Sequence, residues 1–186
     1  FDRLVNQGAT CIFEETGELI GCEHIMASRC RNEELQRRIV GVVDKAAKYY
    51  SAMGYGSFSQ GNAKGGLSTI EEKSLGAYAK SGGSPISGIL RPAERASIGG
   101  LYLLDVVPDG PPMYGYPNIN DTAEIVELIS CGAHCVIFVT GRGSVVGSAI
   151  SPILKVCANP ETYARMKEDM DVDAGRMDVD AGYRLD

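Results

Sequence analysis

The sequence lacks several features that would place it in a specialised class of protein. No apolar run approaches the length of a membrane span, and the first residues show no signal-peptide pattern. The net charge of −6 leaves no excess of basic residues, which argues against nucleic acid as the main partner. We therefore expect a cytoplasmic protein that engages neither membrane nor nucleic acid.

The six cysteines lack the Cys-x-x-Cys spacing of zinc ribbons and thioredoxin-like sites. Several of them, such as Cys135 and Cys157, lie inside apolar runs, which favours buried reduced thiols. An iron–sulfur cluster is the alternative, since it needs three or four converging thiolates and spacing alone cannot show convergence.

A dinucleotide-binding fingerprint is missing as well. A strand pattern at residues 134–140 leads into a glycine-rich loop at 141–147, but the glycine spacing does not match that fingerprint. Ser151 and Pro152 follow the loop too closely for the helix that the fingerprint requires, and no strand with a ribose-binding acid comes after them. NAD binding is therefore not expected.

The 186 residues have the composition of an ordinary globular protein, with 44% apolar and 23% charged residues. Apolar runs alternate with capped helical patterns, which predicts an α/β fold with a mainly parallel sheet in a single domain over residues 1–186. Because the chain opens at Phe1 rather than Met, we expect it to be a piece of a longer polypeptide. The predicted strands cover residues 9–13, 86–90, 101–107, 134–140 and 153–157, and the predicted helices cover 32–53, 68–80, 121–132 and a last segment capped by Asn159.

In parallel sheets of this kind, ligands bind beyond the carboxyl ends of the strands. We therefore expect the loops that follow Val107 and Thr140 to lie at the same edge, with the loop at residues 61–66 joining them. Asp105 interrupts the apolar run at 101–107, where an acid can line a site or cap a loop.

The segment at residues 61–74 carries the largest number of candidate ligand-binding groups. In it, a loop with several glycines is followed directly by the start of a predicted helix. Gly61, Gly65 and Gly66 allow a ligand to approach the backbone closely. Ser68 and Glu71 form a capping-box pattern, and Asp121 and Glu124 form a second one. Free amides at such a helix start suit a carboxylate, sulfonate or phosphate, and a capped loop that binds nothing is the alternative.

The second candidate loop is Thr140-Gly141-Arg142-Gly143-Ser144. It offers backbone amides, two hydroxyls and one guanidinium whose planar fork suits a bidentate grip on a carboxylate. Alternatively, Arg142 braces the loop against a backbone carbonyl.

Four segments together resemble the C-terminal portion of the galactarate dehydratase/altronate dehydratase family. They are residues 61–76, 138–144 and 168–171, with Cys22-Glu23-His24 as the fourth. The resemblance implies a Rossmann-like α/β domain of a lyase that acts on a hydroxy acid and requires a divalent metal, typically Fe²⁺. It also implies an N-terminal domain or small subunit as partner, and we expect a homo-oligomer. At residues 105–110 and 116–120 the chain looks more like the sulfolactate sulfo-lyases of this family, which release sulfite rather than water.

The resemblance suggests a role for each candidate residue. Glu23 and His24, with Glu72 as a third candidate ligand, would hold the metal, because carboxylate and imidazole suit divalent iron. Lys73 would act as the base or as an electrostatic partner of the enediolate, and Glu72 and His24 are further catalytic candidates. Asn62, Gly65, Gly66 and the loop from Thr140 to Ser144 would bind the substrate. The competing hypothesis is a non-catalytic α/β module that binds a small anion, and a lone histidine such as His24 can also be structural.

Overall fold

A computed structural model describes residues 1–52, 64, 66–110, 120–180 and 182 of the chain. The chain divides into two compact units, unit 1 at residues 1–119 and unit 2 at residues 120–186. The described strands form one three-stranded parallel sheet in each unit, with helices around them. The predicted α/β class is therefore confirmed. The expectation that residues 1–186 form a single domain stays a prediction.

The sheet of unit 1 consists of β1 (Thr10–Phe13), β2 (Ile86–Leu90) and β3 (Gly100–Leu104). Its strand order is β1-β3-β2, so its most buried strand lies in the middle. All five residues of β3 are buried, as the continuous apolar run predicts for a strand covered on both faces. Cys11 of β1 lies opposite Leu101 of β3, and Ile89 of β2 lies opposite Leu103. The described elements of unit 1 are α1 (Asp2–Asn6), β1 (Thr10–Phe13), a 3₁₀ turn (Gly17–Leu19), α2 (Glu23–Ser28), α3 (Glu33–Ala52), α4 (Ile70–Lys80), β2 (Ile86–Leu90) and β3 (Gly100–Leu104).

Helix α3 supplies the longest apolar stripe in unit 1, and it confirms the predicted helix at residues 32–53 within a residue at each end. Its buried residues recur at spacings of three and four, the period of one helix face. The same core takes in residues of α2 and β3. The stripe consists of Leu35, Ile39, Val43, Ala46 and Tyr49.

The sheet of unit 2 consists of β4 (Val136–Thr140), β5 (Ile153–Cys157) and β6 (Val172–Asp173), in that order. Val156 of β5 pairs with Val139 on one side and Val172 on the other. The Asn159 side chain accepts the N–H groups of Glu161 and Thr162, which confirms the predicted cap. The described elements are α5 (Asp121–Ser130), β4 (Val136–Thr140), β5 (Ile153–Cys157), α6 (Pro160–Arg165), β6 (Val172–Asp173) and α7 (Arg176–Val179).

Two predicted helix caps are wrong by one residue. Helix α4 is capped by Thr69, whose side chain accepts the Glu72 N–H, and not by Ser68. Helix α5 is capped by Asn120, whose side chain accepts the Ala123 N–H, so Asp121 is already helical. Neighbouring residues with equally good capping side chains make such a shift invisible in the sequence.

The expected sharing of one sheet edge is also wrong. Strand β3 belongs to the sheet of unit 1 and β4 to the sheet of unit 2, so among the described strands no common sheet aligns the loops after Val107 and Thr140. The loop expected to join them, at residues 61–66, lies outside the described residues except for positions 64 and 66.

All six cysteines are free thiols, and five of them are buried as predicted. Burial raises the pKa of the Cys11, Cys22 and Cys30 thiols, which keeps them protonated. Cys135 is exposed, contrary to the prediction, because it lies just before β4 begins. Of the helices in the described ranges, none has the length and apolar character needed to cross a bilayer.

Candidate functional site

The predicted metal ligands Glu23 and His24 lie in the first turn of α2. The Glu23 carboxylate accepts the Gly21 N–H at 2.7 Å, and His24 is exposed. Gly21 has a positive φ of 88°, and the Glu71 side chain lies over it, since a Cβ on Gly21 would be 2.9 Å from Glu71 Cγ. A cysteine, two carboxylates and an imidazole therefore lie close in sequence or space around this turn.

The carboxylate and imidazole groups at this turn suit a divalent ion, but few of them point to a common position. In the ranges that the structure describes, no three His, Cys, Asp or Glu side chains converge closely enough to hold a metal. Glu23 and His24 would therefore provide part of a coordination shell, with the other ligands coming from water, substrate or residues beyond those ranges.

Lys73 lies one turn into α4, where its Nζ donates to Glu18 Oε1 at 2.6 Å. Both side chains are about three-quarters buried, with exposed fractions of 23% and 25%. A lysine ammonium in this position is a fixed cation that can stabilise nearby negative charge. Its role as a base requires loss of the proton that it now donates to Glu18, and that role stays a prediction.

A second ion pair joins the same two segments, from Lys80 Nζ to Glu15 Oε1 at 2.6 Å. Burial raises the pKa of Glu15, and the neighbouring Lys80 opposes that shift. Ser74 Oγ also donates to the Ile20 carbonyl at 2.6 Å. Helix α4 is thus attached to the segment around the 3₁₀ turn by three polar contacts, which set the position of Lys73.

Glu72 is occupied by the start of its own helix. Its Oε2 accepts the Ser68 N–H at 2.8 Å and the Ser68 hydroxyl at 2.7 Å. These hydrogen bonds lower the pKa of Glu72. Glu72 therefore supports the cap of α4 in this structure. Of the predicted glycine-loop residues, Gly66 has a positive φ of 105°, and no atom of the described residues lies within 4 Å of where its Cβ would be. Asn62 and Gly65 lie outside the described residues.

In unit 2, the loop after β4 folds back on Thr140. Its Oγ1 accepts the N–H groups of Arg142 at 3.2 Å and of Gly143 at 3.1 Å. Gly143 has a positive φ of 80°, and a Cβ there would collide with Met166 of the segment after α6. Because Thr140 already binds two of the loop's amides, an anion at this loop would depend mainly on the Arg142 side chain and on Ser144.

Ser144 lies beside the start of α5, where its hydroxyl donates to Asp121 Oδ2 at 3.4 Å. A cavity of about 370 Å³ opens here between the loop and the helix start. Lys155 Nζ reaches the Ser144 carbonyl at 3.4 Å from β5. The sequence did not indicate this proximity of the loop to α5. The cavity is lined by Asn120, Asp121, Thr122, Ser144, Val145 and Val146.

Unit 1 contains a further polar cluster, of which only Asp105 was singled out from the sequence. Lys45 of α3 donates to Asp105 Oδ2 at 2.6 Å and approaches Asp109 Oδ1 at 3.4 Å. Arg91, directly after β2, also pairs with Asp109. No local sequence signal joins these residues, because they come from three separate segments. A cavity of about 330 Å³ lies beside them.

Comparison with known proteins matches residues 1–182 to the family described as D-galactarate/Altronate dehydratase, C-terminal. The chain is 37% identical over 183 residues to the (2R)-sulfolactate sulfo-lyase subunit beta of Chromohalobacter salexigens, covering 93% of this chain and 43% of that protein. It is 34% identical over 179 residues to an altronate dehydratase of Escherichia coli, covering 95% and 34%. It is 32% identical over 178 residues to a galactarate dehydratase (L-threo-forming) of the same organism, covering 94% and 32%. The chain therefore spans less than half the length of each of these relatives.

Proposed function

Because the chain belongs to the D-galactarate/altronate dehydratase C-terminal family, we propose that it is part of a lyase that performs a β-elimination on a hydroxy acid. The match of residues 1–182 to that family, whose relatives carry the names of dehydratases and a sulfo-lyase, is the observation that supports this proposal. The reaction removes a proton from the carbon next to a carboxylate and expels hydroxide or sulfite from the following carbon. The resulting enol then becomes a keto acid.

The difficult step in such a reaction is the loss of a weakly acidic proton. It requires a base and fixed positive charge for the enediolate that forms. In unit 1, Lys73 provides a cation held in place by Glu18. We assign Lys73 to the base or to the stabilisation of the enediolate, with Glu72 and His24 as further candidates.

A divalent ion, which we propose to be Fe²⁺, would when bound supply Lewis-acid stabilisation of that charge. Glu23 and His24 are the residues of this chain proposed to hold it, because an acid and an imidazole share the first turn of α2. The Gly21 N–H orients the Glu23 carboxylate, as a supporting hydrogen bond commonly does for a metal-binding carboxylate.

In unit 2, Arg142 and Ser144 are proposed to bind the carboxylate or sulfonate of the substrate. The Arg142 side chain is exposed, and the flanking Gly141 and Gly143 leave its fork accessible. Thr140 holds the loop in place by accepting two of its amides. We propose that Asn62, Gly65 and Gly66 bind the substrate from the other candidate loop.

The whole enzyme is proposed to include an N-terminal domain or small subunit, to be homo-oligomeric and to work in the cytoplasm. The chain covers 43% of a relative that is named as a subunit beta, which supports a partner in the same enzyme.

The decisive experiment is an anaerobic assay of the full-length enzyme that contains this chain. Altronate, galactarate and (2R)-sulfolactate are offered separately, with and without Fe²⁺, and keto acid and sulfite are measured. Keto acid without sulfite identifies a dehydratase, and keto acid with sulfite identifies a sulfo-lyase. Saturable binding of these acids without turnover would instead support the non-catalytic anion-binding module.

The metal assignment has its own test. Glu23→Ala and His24→Ala are each expected to lower the iron bound after anaerobic reconstitution, because each removes one proposed ligand. Glu34→Ala, an exposed acid in the first turn of α3, is the matched control and should bind iron normally. Unchanged iron content in both variants would remove Glu23 and His24 from this role.

A further inference from the structure

The polar cavity of about 330 Å³ in unit 1 opens where β2 and β3 end. Arg91 directly follows β2 and Asp105 directly follows β3, so both lie at the carboxyl edge of the parallel sheet. That edge is where open α/β sheets bind ligands, and the volume is at the lower end of the range for small-molecule sites. The cavity is lined by Arg38, Gly41, Val42, Lys45, Ile89, Arg91, Glu94 and Asp105.

The buried side of the cavity is a fixed ion pair. Asp105 exposes 8% of its side chain, and its Oδ2 accepts from Lys45 Nζ at 2.6 Å. Its Oδ1 accepts the Val107 N–H at 3.3 Å. Since both oxygens are engaged, Asp105 serves to anchor Lys45. The Lys45 side chain keeps 27% of its surface exposed, and its ammonium can still donate to a second carboxylate.

Asp109 is the carboxylate that now takes this second position. It lies 3.4 Å from Lys45 Nζ and also pairs with Arg91, although 71% of its side chain is exposed. The hydrogen bond from Arg91, followed by that from Lys45, lowers the pKa of Asp109. The two cations thus already bind a carboxylate, and such exposed ion pairs are individually weak. Another carboxylate can therefore compete for the position.

Arg38 adds a third cation at the mouth of the cavity. It lies on α3 two helical turns before Lys45, on the same face of the helix. In the described ranges its guanidinium makes no hydrogen bond or ion pair, and it is exposed. Val42 and Ile89 form an apolar part of the wall, and no atom in the described ranges lies within 4 Å of where a Cβ on Gly41 would be. A ligand with a short carbon skeleton and at least one carboxylate matches these surroundings.

We propose that this cavity is a binding site for a small carboxylate ligand, whose carboxylate replaces that of Asp109 between Lys45 and Arg91. The Arg38 guanidinium contacts the same ligand at the open side of the cavity, where a second carboxylate or a hydroxyl can accept its N–H groups. Asp109 acts as an internal competitor that weakens binding. The site shares no residue with those assigned to the lyase reaction, so its existence does not depend on that assignment.

The test is a calorimetric titration of the purified protein with meso-tartrate, with erythritol as the uncharged control of the same carbon skeleton. We expect tartrate to bind and erythritol not to bind. Asp109→Asn removes the competitor and should bind tartrate about five-fold more tightly, because an exposed ion pair competes only weakly with the ligand. Arg38→Gln and Arg91→Gln should each weaken binding by about five-fold or more.

Arg37→Gln is the matched control, because Arg37 is the neighbouring exposed arginine and pairs with Glu33 instead. It should bind tartrate like the wild type. Variants of Lys45 are less suitable, since they leave the buried Asp105 unpaired. The proposal is overturned if Asp109→Asn does not bind tartrate more tightly, if Arg37→Gln weakens binding as much as Arg38→Gln, or if Arg91→Gln binds normally.

Discussion

Arg142 is the candidate residue whose surroundings bear most directly on its role. If it braced the loop, its guanidinium would donate to a backbone carbonyl. In the described part of the chain this guanidinium makes no such contact, and only its backbone N–H is bound, by Thr140. The side chain is exposed between two glycines, which favours a grip on a ligand over a structural role.

We predict that Arg142→Lys in the full-length enzyme lowers kcat/KM by about 10²-fold or more, which is roughly 2.7 kcal/mol. Lysine keeps the charge but cannot form two parallel hydrogen bonds to one carboxylate. Thermal stability and bound metal should stay near wild type. The measurement is steady-state kinetics combined with a melting curve.

Arg165→Lys is the control for Arg142. Arg165 is also exposed in unit 2, but its guanidinium donates to Thr162 Oγ1 of its own helix. This variant should keep its activity. Wild-type kcat/KM in Arg142→Lys would disprove the anion grip, and an activity loss that follows a loss of stability would favour the bracing role.

Glu127 on α5 has a carboxyl group that resists ionisation. Its Oε2 is buried without a hydrogen-bond partner among the described residues, and burial raises its pKa to about 7 from the usual 4.5. Between these two pH values the unfolded chain has released the proton while the folded chain still holds it. The contribution of Glu127 to stability is therefore fully present below about pH 4.5 and is lost as the pH rises through about 7.

We predict that Glu127→Gln removes this pH-dependent loss and is more stable than wild type at pH 8, by an amount on the order of 1 kcal/mol because the side chain is only half-buried. Urea denaturation at pH 5 and pH 8 measures the difference. Glu168→Gln, at an exposed position, should reproduce the wild-type pH dependence. A Glu127→Gln variant with wild-type pH dependence would contradict the prediction.

At the level of elements, α4 depends on its ends and polar contacts more than on an apolar face. Its buried residues are Ser74 and Ala77, which are small. The ion pairs of Lys73 and Lys80 attach it to the segment at residues 15–18, and Thr69 begins it by accepting the Glu72 N–H at 3.2 Å. A helix with so little apolar burial is sensitive to its cap.

We predict that Thr69→Ala lowers the free energy of unfolding by about 1 kcal/mol, the usual cost of losing a capping side chain. Ser68→Ala should cost less than about 0.5 kcal/mol, because it removes only the exposed hydroxyl contact to Glu72 and keeps the backbone N–H that also donates to it. Urea denaturation of both variants decides between the two residues. A larger loss of stability for Ser68→Ala than for Thr69→Ala would show that Ser68 is the capping residue, as the sequence pattern predicted.

At the level of the whole molecule, the chain is shorter than the enzymes that it resembles. The matches span at least 93% of this chain but at most 43% of each named relative. A lyase site has to assemble a base, a substrate grip and fixed positive charge with little room for error. Parts of such an enzyme beyond this chain are therefore expected to matter for turnover.

We predict that the purified 186-residue chain folds but turns over at least about 10²-fold more slowly than a full-length enzyme that contains it, with the same hydroxy acid and Fe²⁺, because parts of such an enzyme outside this chain would contribute to positioning. Circular dichroism checks folding, and keto acid formation checks turnover. Comparable kcat/KM for the two forms would disprove the prediction.

Much of the secondary structure of this protein follows from local patterns. The stripe from Leu35 to Tyr49 has the period of a helix, and the apolar run at residues 101–104 has the composition of a covered strand, because burial selects apolar residues with the period of each element. The cap of α6 by Asn159 was equally predictable, since the capping side chain and the amides it binds are neighbours in sequence. Short motifs likewise sufficed to indicate the family.

Only the tertiary structure decided which elements meet. The division of the strands between two sheets, the attachment of Lys73 to Glu18, and the pairing of Lys45 with Asp105 across sixty positions have no local signature. Such contacts depend on how separate elements pack, and one residue of shift in a helix start changes which side chain caps it. A local pattern records how a segment is buried, whereas a site is made by side chains brought together from distant segments.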